Sequence, residues 1–460
     1  MLKSPSRIPI TTFSVYSLLG DKNYTLKIKH GASIIVGPNG AGKSNFLNIL
    51  YLVISRQWAR LVDYTFDRIV VETVDDRIEF SKDDILEVVS FAGESRFRDL
   101  FSYLVEQNGI GAFIAADLGS LRSRRMYTDL FKIPSSALQS FQRRLKEGFE
   151  DADRFLALER FIERLDLGPV IYMPTYRRIE KDLRALLPND LARRPETSAL
   201  PDAAKVRFIE VISAGMGDVI DLIEDNIRTV AVAKQRTTEK AAQEYILDIV
   251  RGEIANFSLN RLKDIDEKKL ISFVETLDTS IFKKTDKTRL QKQILNLRNK
   301  RKPAPPKAEE RYLGLYIWKL LQAQVQIDQL EEPLRNLSDL ANKYIGPEKT
   351  FDFVASAGFQ TATGGGDVIE LNGLSSGEKQ LIAMFSYLLL SGEKNYILIV
   401  DEPELSLSVP RQKILLPDIL KTGNCQHIFA VTHSPFIFSN DLRQALVDTK
   451  SMSFNDNDMG

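Results

Sequence analysis

The spacing of hydrophobic residues changes from strand-like to helical near the start of the chain. Short β-rich runs come first, and the last of them, Ser33–Val36, is apolar and ends at a glycine. Apolar positions then recur on a wide face from about Lys43 to Arg60, which predicts a buried helix directly after a buried strand. Beyond it, the runs Arg68–Val74 and Arg77–Phe80 flank two aspartates and predict a β-hairpin.

Helical spacing dominates the middle of the chain. It covers Ser136–Leu167 and most of residues 180–345, and the apolar run Val170–Met173 between them predicts a strand that returns to the sheet. Two series of apolar residues recur there every three or four positions. Both ordinary amphipathic packing and a paired coiled coil produce such series, and we expect the former. The series are Ile209, Ile212, Met216, Val219, Ile223, Ile227 and Val230, and later Leu330, Leu334, Leu337 and Leu340.

The C-terminal part returns to an α/β pattern. The β-rich runs Thr350–Ala355 and Val368–Leu371 flank three consecutive glycines, and an apolar helix runs from Leu381 to about Leu390. The runs Tyr396–Val400 and Ile428–Val431 then predict strands, the first of them buried on both faces as parallel strands are. We therefore expect an α/β fold, with a mixed sheet and flanking helices, that is interrupted by a helical insertion.

These patterns set the expected domain organisation. Two separated parts of the chain form one α/β head, and helical regions lie between them. The expected boundaries are 1–115 for the N-terminal part of the head, 116–168 for a helical segment, 169–179 for the returning strand, 180–349 for the helical insertion and 350–460 for the C-terminal part of the head.

Composition excludes several classes of protein. Of the 460 residues 43% are hydrophobic, enough for a large core, and 62 basic residues balance 62 acidic ones. The single cysteine, Cys425, excludes a disulfide framework and a cysteine-rich zinc site. No apolar run approaches the ~20 residues of a membrane span, and the N-terminus lacks the pattern of a secretory signal. We therefore expect a soluble cytoplasmic protein without membrane contact.

One region departs from the neutral balance. Between Phe282 and Lys307, ten basic residues stand against one acid, Asp286, and the region ends in the proline-rich run Lys302–Lys307, which cannot be helical. A flexible, solvated surface loop is the simplest interpretation. Contact of the run Lys283–Lys307 with DNA and docking of an acidic partner are the alternatives. With one aromatic neighbour there is no basis for base stacking, so DNA contact would be independent of sequence.

A glycine-rich turn joins the first buried strand to the helix after it. Its sequence, Gly37 to Ser44, matches the pattern G-x-x-x-x-G-K-[ST]. Backbone N–H groups in such a turn converge on phosphate oxygens, and a Cβ there would crowd the ligand. The pattern predicts a loop in which Lys43 contacts the β- and γ-phosphates of ATP and Ser44 binds Mg²⁺. The residues expected to bind the nucleotide here are Gly37, Asn39, Gly40, Gly42, Lys43, Ser44 and Asn45.

Two acids follow the apolar run that ends at Val400. An aspartate at the C-terminal end of a parallel strand can bind Mg²⁺ directly or through water, and Asp401 has this position. Glu402 comes next and would project toward the γ-phosphate, where a base can orient the attacking water. Adjacent acids after an apolar run are common by chance. These two alone are therefore a moderate indication of a nucleotide site, and the glycine-rich loop strengthens it.

Two further motifs decide the class of ATPase. The run Leu374–Gln380, L-S-S-G-E-K-Q, precedes an apolar helix, and Val431–Pro435, V-T-H-S-P, follows an apolar strand. The first resembles the L-S-G-G-Q signature of ABC-type ATPases in the form found in the SMC and RecF branch, and the second resembles the switch histidine of the same class. The chain thus resembles SMC-, RecF- and OLD-like P-loop ATPases. The resemblance covers residues 1–115 and 350–440 and hardly extends to the middle of the chain.

The resemblance implies a role for each matching residue. Ser375, Ser376 and Gly377 are expected to contact the γ-phosphate of ATP bound to a second copy of the chain, aided by the positive end of the signature helix. His433 is expected to bind the γ-phosphate within its own subunit, which makes it and Glu402 the expected catalytic residues. A homodimer is then the minimum assembly, and higher assemblies built from dimers are compatible with it.

One motif of the class has no counterpart here, because the Q-loop glutamine has no evident position in this sequence. The run Tyr176–Arg178 lies at roughly that point of the chain. Arg177 or Arg178 either reaches phosphate or the partner subunit, or forms a structural salt bridge, which we favour. The run Glu404–Leu407 lies where the D-loop of the class sits. Packing or surface roles are expected for His30, His427 and Cys425.

Length narrows the cellular role. From the length we expect neither long SMC arms nor an OLD-type nuclease domain after His433. The runs Tyr172–Glu180 and Asp401–Leu407 resemble the ATPase subunits of anti-phage systems of the Septu or PARIS kind, which implies an ATPase that senses infection and controls a separate nuclease effector. A RecF-like repair ATPase that clamps DNA is the alternative. A structural ATP-binding scaffold with negligible turnover is a third hypothesis.

Overall fold

The computed structural model describes most of the chain. None of its described helices is long and apolar enough to cross a membrane. The described residues are 8–29, 31–90, 133–148, 153–174, 208–211, 216–262, 265–276, 282–299, 307–355, 357–405 and 407–454, with isolated positions between 100 and 131.

The chain divides into two compact units. The head comprises Met1–Met216, Lys343–Gly346 and Glu370–Gly460, and the insert comprises Gly217–Asn342 and Pro347–Ile369. The C-terminal part of the head thus begins at 370 and not at the expected 350. The hairpin at 349–363 accounts for the difference, because its two strands pair with each other and with neither sheet of the head.

The elements follow in chain order. The strands are β1 (Thr12–Leu18), β2 (Lys22–Lys27), β3 (Ala32–Val36), β4 (Arg68–Glu72), β5 (Arg77–Ser81), β6 (Val170–Met173), β7 (Phe208–Glu210), β8 (Lys349–Val354), β9 (Gly358–Thr363), β10 (Tyr396–Asp401), β11 (Cys425–Val431) and β12 (Leu446–Asp448). The helices are α1 (Lys43–Ile54), α2 (Trp58–Leu61), α3 (Lys82–Ser90), α4 (Ser135–Gly148), α5 (Asp153–Arg164), α6 (Gly217–Val250), α7 (Glu267–Thr276), α8 (Lys284–Asn299), α9 (Ala308–Ile345), α10 (Ser376–Leu390), α11 (Val409–Lys421) and α12 (Thr449–Met452).

Two sheets form the head, as the α/β expectation requires. Six parallel strands have the order β12-β3-β11-β10-β6-β7, and four antiparallel strands have the order β2-β1-β4-β5. Parallel and antiparallel strands therefore occupy separate sheets. The apolar runs at β10 and β11 are buried along their whole length, which is typical of central parallel strands.

Helix α1 lies in the core between the sheets. It contacts β1 of one sheet and β10 and β11 of the other, so a single apolar stripe would not suffice and apolar residues surround it. It ends at Ile54, short of the expected Arg60. Arg56 adopts a left-handed conformation (φ 57°) that the helix cannot continue through, and its guanidinium pairs with buried Glu159 at 3.2 Å.

The first apolar series of the middle region is not one helix. Ile209 lies in β7, which pairs with β6 at the edge of the head sheet, whereas α6 begins at Gly217. Ile212 lies outside the described residues. A three-residue strand carries too little periodicity to be separated from a helical pattern that continues beyond it.

The long helices of the insert pair in antiparallel fashion. Lys234 on α6 bonds Glu331 on α9 at 3.2 Å, and Lys319 on α9 bonds Asp248 on α6 at 3.0 Å, so residue numbers rise along one helix as they fall along the other. Buried apolar residues lie both between these ion pairs and beyond them, as at Ile327 and Val219.

Most of the described part of the basic run is helical, so the surface-loop interpretation is wrong there. Leu290, Ile294 and Leu297 on one face of α8 pack among residues of α7 and α9. Lys287 is buried and donates to the carbonyl oxygen of Glu275 at 2.7 Å, and Arg298 pairs with Glu267 at 3.1 Å. Residues 300–306, with most of the proline-rich run, lie outside the described residues.

Candidate nucleotide-binding site

The glycine-rich loop has the backbone that its sequence predicts. Gly40 and Gly42 have φ values of 75° and 86°, a region that side chains with a Cβ rarely adopt. Lys22 and Tyr24 of β2 hold the loop from outside, donating to the carbonyl oxygens of Gly40 (2.7 Å) and Ala41 (2.8 Å).

The residues of the loop differ in exposure. Asn39 lies in its exposed turn, and Asn45 is the third residue of α1. A Cβ on Gly37 would lie 2.1 Å from Thr449 Oγ1, so this position requires glycine because of packing within the head.

Lys43 crosses the loop and closes it. Its ammonium donates to the carbonyl oxygens of Gly37 and Pro38, both at 3.0 Å. Burial lowers the pKa of the Lys43 ammonium, while the carboxylates of Asp401 and Glu402 act in the opposite direction. A largely desolvated cation thus lies where the sequence predicts the phosphates of a nucleotide.

Ser44 and Asp401 meet although 357 positions separate them. Ser44 Oγ donates to Asp401 Oδ1 at 3.1 Å, because α1 begins beside the C-terminal end of β10. A hydroxyl and a carboxylate are hard oxygen ligands of the kind that Mg²⁺ prefers, so the two side chains fit the expected ion. Among the described residues no group of three or more His, Cys, Asp or Glu side chains is placed to hold a metal ion.

Glu402 turns the chain sharply at the end of β10. Its φ of 53° lies in the left-handed region, which is uncommon for glutamate, and its backbone N–H donates to the carbonyl oxygen of Val431 at 2.8 Å. Such a conformation persists only when the surroundings impose it, and it is concentrated at functional sites. The conformation marks Glu402 as a candidate functional residue, and the role that the sequence predicts for it stays a prediction.

A reciprocal cap fixes the start of α10. Ser375 Oγ accepts from the backbone N–H of Glu378, and Glu378 Oε2 accepts from the backbone N–H of Ser375 at 2.7 Å. Ser376 and Gly377 occupy the first turn, where backbone N–H groups have no partner within the helix. In the part of the chain that the structure describes, no hydrogen bond or ion pair joins 375–377 to 37–45. Instead, Gly377 and Gln380 line a small cavity with Asp401 and Glu402.

The other candidate residues have varied surroundings. His433 is exposed, and its backbone N–H donates to the carboxylate of Glu404. His427 is buried within β11 beside Ser33, and Cys425 is fully buried, where desolvation raises the pKa of its thiol to about 12. His30, Arg177 and Arg178 lie outside the described residues.

Sequence reasoning missed a set of polar contacts along α1. Asn48 accepts from the hydroxyl of Tyr172 on β6, and the hydroxyl of Tyr51 donates to Glu210 on β7 at 2.7 Å. The rings of Tyr51 and Tyr172 stack with centroids 4.1 Å apart. Burial raises the pKa of the Tyr172 hydroxyl above its usual range. These contacts connect the helix of the phosphate loop to the edge of the sheet, and no local sequence signal marks them.

Comparison with known proteins gives one family match and several structural similarities. Residues 33–228 and 257–439 match the family described as "AAA domain, putative AbiEii toxin, Type IV TA system". No curated protein matches significantly. An Smc head domain of Pyrococcus furiosus with an extended coiled coil, bound to the C-terminal domain of ScpA, is 12% identical and covers 95% of this chain and 92% of that chain, with a TM-score of 0.35.

Two further Smc structures are similar. An SmcHead bound to the C-winged helix domain of ScpA is 10% identical, covering 95% of this chain and 94% of that chain, with a TM-score of 0.33. An Smc head of Pyrococcus yayanosii with a coiled coil and joint is 14% identical at the same coverage, with a TM-score of 0.31. Since the family match spans most of its length, the chain belongs to this AAA-domain family.

Proposed function

We propose that the protein binds ATP with Mg²⁺ and hydrolyses it at sites that two copies of the chain complete together. The observation that carries the proposal is the hydrogen bond between Ser44 and Asp401, which joins the phosphate loop to the acid-bearing strand across the sequence. Aspartate is rarely buried, yet Asp401 is buried at the end of β10 and lies within hydrogen-bond distance of the loop. Together with Lys43 they form the charge arrangement that a nucleoside triphosphate requires.

Within one subunit each residue has a separate task. Lys43 and the N–H groups of the loop bind the phosphates, and Ser44 and Asp401 hold the metal ion. When bound, Mg²⁺ neutralises charge on the phosphate oxygens. Glu402 accepts a proton from the attacking water and orients it, while His433 binds the γ-phosphate. Catalysis then comes from positioning and electrostatic stabilisation.

A second copy completes the site. The first turn of α10 presents the N–H groups of Ser376 and Gly377 and the positive end of the helix, which suits an anion. The capping box uses Ser375 and Glu378, so the N–H groups of Ser376 and Gly377 remain available for a ligand. A homodimer, alone or within a higher assembly of dimers, brings this turn to the γ-phosphate of the other subunit.

The cellular role we propose is that of a sensor ATPase in a prokaryotic anti-phage system, which controls a nuclease effector on another chain. The family description, which names a putative toxin of a type IV TA system, supports a role in growth control or defence over one in repair. Copurification of a nuclease with the native protein is the expected result.

The alternative is a RecF-like repair ATPase that clamps DNA. The observation that favours it is the exposed basic surface of α8, which includes Lys284, Arg289 and Lys292. Turnover stimulated by DNA supports repair, and turnover that depends on a nuclease partner supports defence. Very slow turnover under every condition supports the scaffold hypothesis.

The substitution Glu402→Gln tests the catalytic proposal. The amide has nearly the same shape and cannot accept a proton, so ATP binding persists and hydrolysis falls by at least about 100-fold. The variant therefore accumulates an ATP-bound dimer, which size-exclusion chromatography with light scattering detects. Turnover within twofold of the wild type would remove Glu402 from the catalytic role.

A further inference from the structure

The carboxylate of Glu404 accepts three hydrogen bonds from the segment that carries His433. Glu404 follows β10, and the segment 432–434 follows the adjacent strand β11. Oε1 accepts from the backbone N–H groups of His433 (2.7 Å) and Ser434 (3.1 Å), and Oε2 accepts from Thr432 Oγ1 (2.7 Å). One side chain thus fixes the backbone on both sides of His433, and bonds to an ionised acceptor are the strong ones.

A neutral side chain makes a second link between the same loops. Ser434 Oγ donates to Gln412 Oε1 at 2.6 Å, and Gln412 Nε2 donates to the carbonyl oxygen of Leu407 at 2.9 Å. The side chain of His433 is exposed, and no hydrogen bond in the described part of the chain uses its imidazole ring. The backbone of His433 is therefore held while its ring remains available to a ligand.

The turn that carries Glu404 also carries Glu402. The N–H of Glu402 donates to the carbonyl oxygen of Val431 at 2.8 Å, and Leu405 closes the turn by donating to the carbonyl oxygen of Glu402 at 3.1 Å. The contacts of Glu404 thus join the turn after β10 to the segment after β11. They set the position of Glu402 relative to His433.

We propose that Glu404 is a positioning residue that holds His433 beside Glu402 for hydrolysis of the γ-phosphate. Both carboxylate oxygens accept from the protein itself, so Glu404 acts through His433 and not on the nucleotide. This inference rests on the proposed ATP hydrolysis and adds a residue for which the sequence analysis predicted no individual role.

A double-mutant cycle on ATPase activity tests it. Glu404→Ala lowers kcat roughly 30- to 100-fold and leaves KM for ATP within about threefold, because misplacing one reacting group affects turnover and the phosphate loop is untouched. In a His433→Ala background the same substitution adds less than about twofold, since the group it positions is gone. Glu404→Gln recovers most of the activity, because its amide can accept from the two N–H groups and donate to Thr432 Oγ1.

Glu393→Ala is the matched control, an exposed glutamate in the turn before β10, and keeps wild-type kcat. A kcat of Glu404→Ala within twofold of the wild type would overturn the proposal. So would losses that multiply in the double mutant, because they would mean that Glu404 acts independently of His433.

Hydrogen exchange of the protein without nucleotide separates this inference from the proposed function. The amide of His433 exchanges at least about 10-fold faster in Glu404→Ala than in the wild type, and Glu393→Ala leaves it unchanged. The amide of Ser434 also donates to Thr432 Oγ1 at 3.0 Å, so it is the less direct reporter. Wild-type protein without ATPase activity would contradict the proposed function, and the exchange result would still decide the positioning role. Equal exchange in the wild type and Glu404→Ala would overturn it. If Glu404→Ala does not fold, Thr432→Val is used in its place in both assays. This substitution removes one of the three donors to Glu404 with little change of shape.

Discussion

Two lysines donate to carbonyl oxygens of the phosphate-binding loop, one from within it and one from outside. Lys43 is buried and crosses the loop to Gly37 and Pro38, whereas Lys22 reaches Gly40 from β2. The first supplies a cation to the interior of the loop, and the second only braces the rim. Their substitutions therefore separate the contribution of charge at the phosphates from that of loop structure.

Lys43→Ala abolishes ATP binding, because the phosphates lose their main counter-charge in a loop with little water. Lys22→Ala removes a lysine contact to the same loop and weakens binding less than about fivefold, since an exposed hydrogen bond contributes little. Titration calorimetry with ATP measures both. Unchanged affinity in Lys43→Ala would contradict the phosphate-loop assignment.

Local sequence predicts a role for some residues, whereas contacts between neighbouring strands could not be predicted from it. The letters around Lys43 and Asp401 indicate their chemistry because loop, strand end and helix start follow one another in the chain. Glu404 has no such signal. Its partners at 432–434 become neighbours only because β10 and β11 lie side by side, an order that the sequence does not state.

At the scale of elements, a serine directly precedes both α10 and α11, but only one of the two serines caps its helix. Ser375 accepts a hydrogen bond from the first turn of α10, whereas Ser408 precedes α11 and makes no side-chain cap bond. The cap thus fixes the N-terminal end of α10, which is the end that we propose contacts the nucleotide bound to the partner subunit. The motif letters predict a helix there but not the cap, because they were assigned to ligand contact.

Ser375→Ala lowers the free energy of unfolding by about 1 kcal/mol, the usual cost of removing an N-cap. Ser408→Ala serves as the control and changes it by less than about 0.5 kcal/mol, since no cap bond is lost. Urea denaturation of the nucleotide-free protein compares the two. Equal effects would show that the cap of α10 does not contribute to stability.

The basic residues of α8 differ in exposure, and only the exposed ones can contact a partner. The buried face of α8 places Lys287 out of reach of a partner, while Lys284, Arg289 and Lys292 are exposed. The charge of the run can be read from the sequence, but its helix was not predicted. The apolar positions Leu290, Ile294 and Leu297 are few, and basic residues surround them in the sequence. The exposed charges of α8 are therefore one candidate for a contact, and the basic residues 300–302, which lie outside the described residues, are the other.

Neutralising Lys300, Arg301 and Lys302 together flattens the slope of log K for DNA against log salt by up to about three, roughly one unit for each lost phosphate contact. If neutralising Lys284, Arg289 and Lys292 flattens the slope instead, the DNA contact lies on α8. The weakening is alike for all DNA sequences, and ATPase activity without DNA is unchanged. Fluorescence anisotropy at several salt concentrations gives the slopes, and an unchanged slope in both variants would exclude a role of the run in DNA binding.

For the whole molecule, the head could be predicted from sequence better than the insert. Each motif of the head lies next to a predicted strand or helix, so the four motifs together predict several strands of the parallel sheet. The insert has no such markers. The hairpin of β8 and β9 has the same β character as the head, and only pairing partners place it in the insert.

The central claim is that one subunit supplies the phosphate loop and another the signature turn. Mixing Lys43→Ala protein with Ser376→Arg protein tests it most directly. Each variant alone is inactive, the first because it cannot bind ATP and the second because a bulky cation blocks the γ-phosphate across the interface. A mixed dimer contains one site in which both elements are intact.

The measurement is ATP turnover of the two variants across mixing ratios, with mixed dimers verified by differently tagged subunits. At equal amounts about half of the dimers are mixed and each has one intact site, so roughly a quarter of wild-type turnover per subunit returns if sites act independently. Activity that stays at the level of the separate variants at every ratio, with mixed dimers present, would contradict the account.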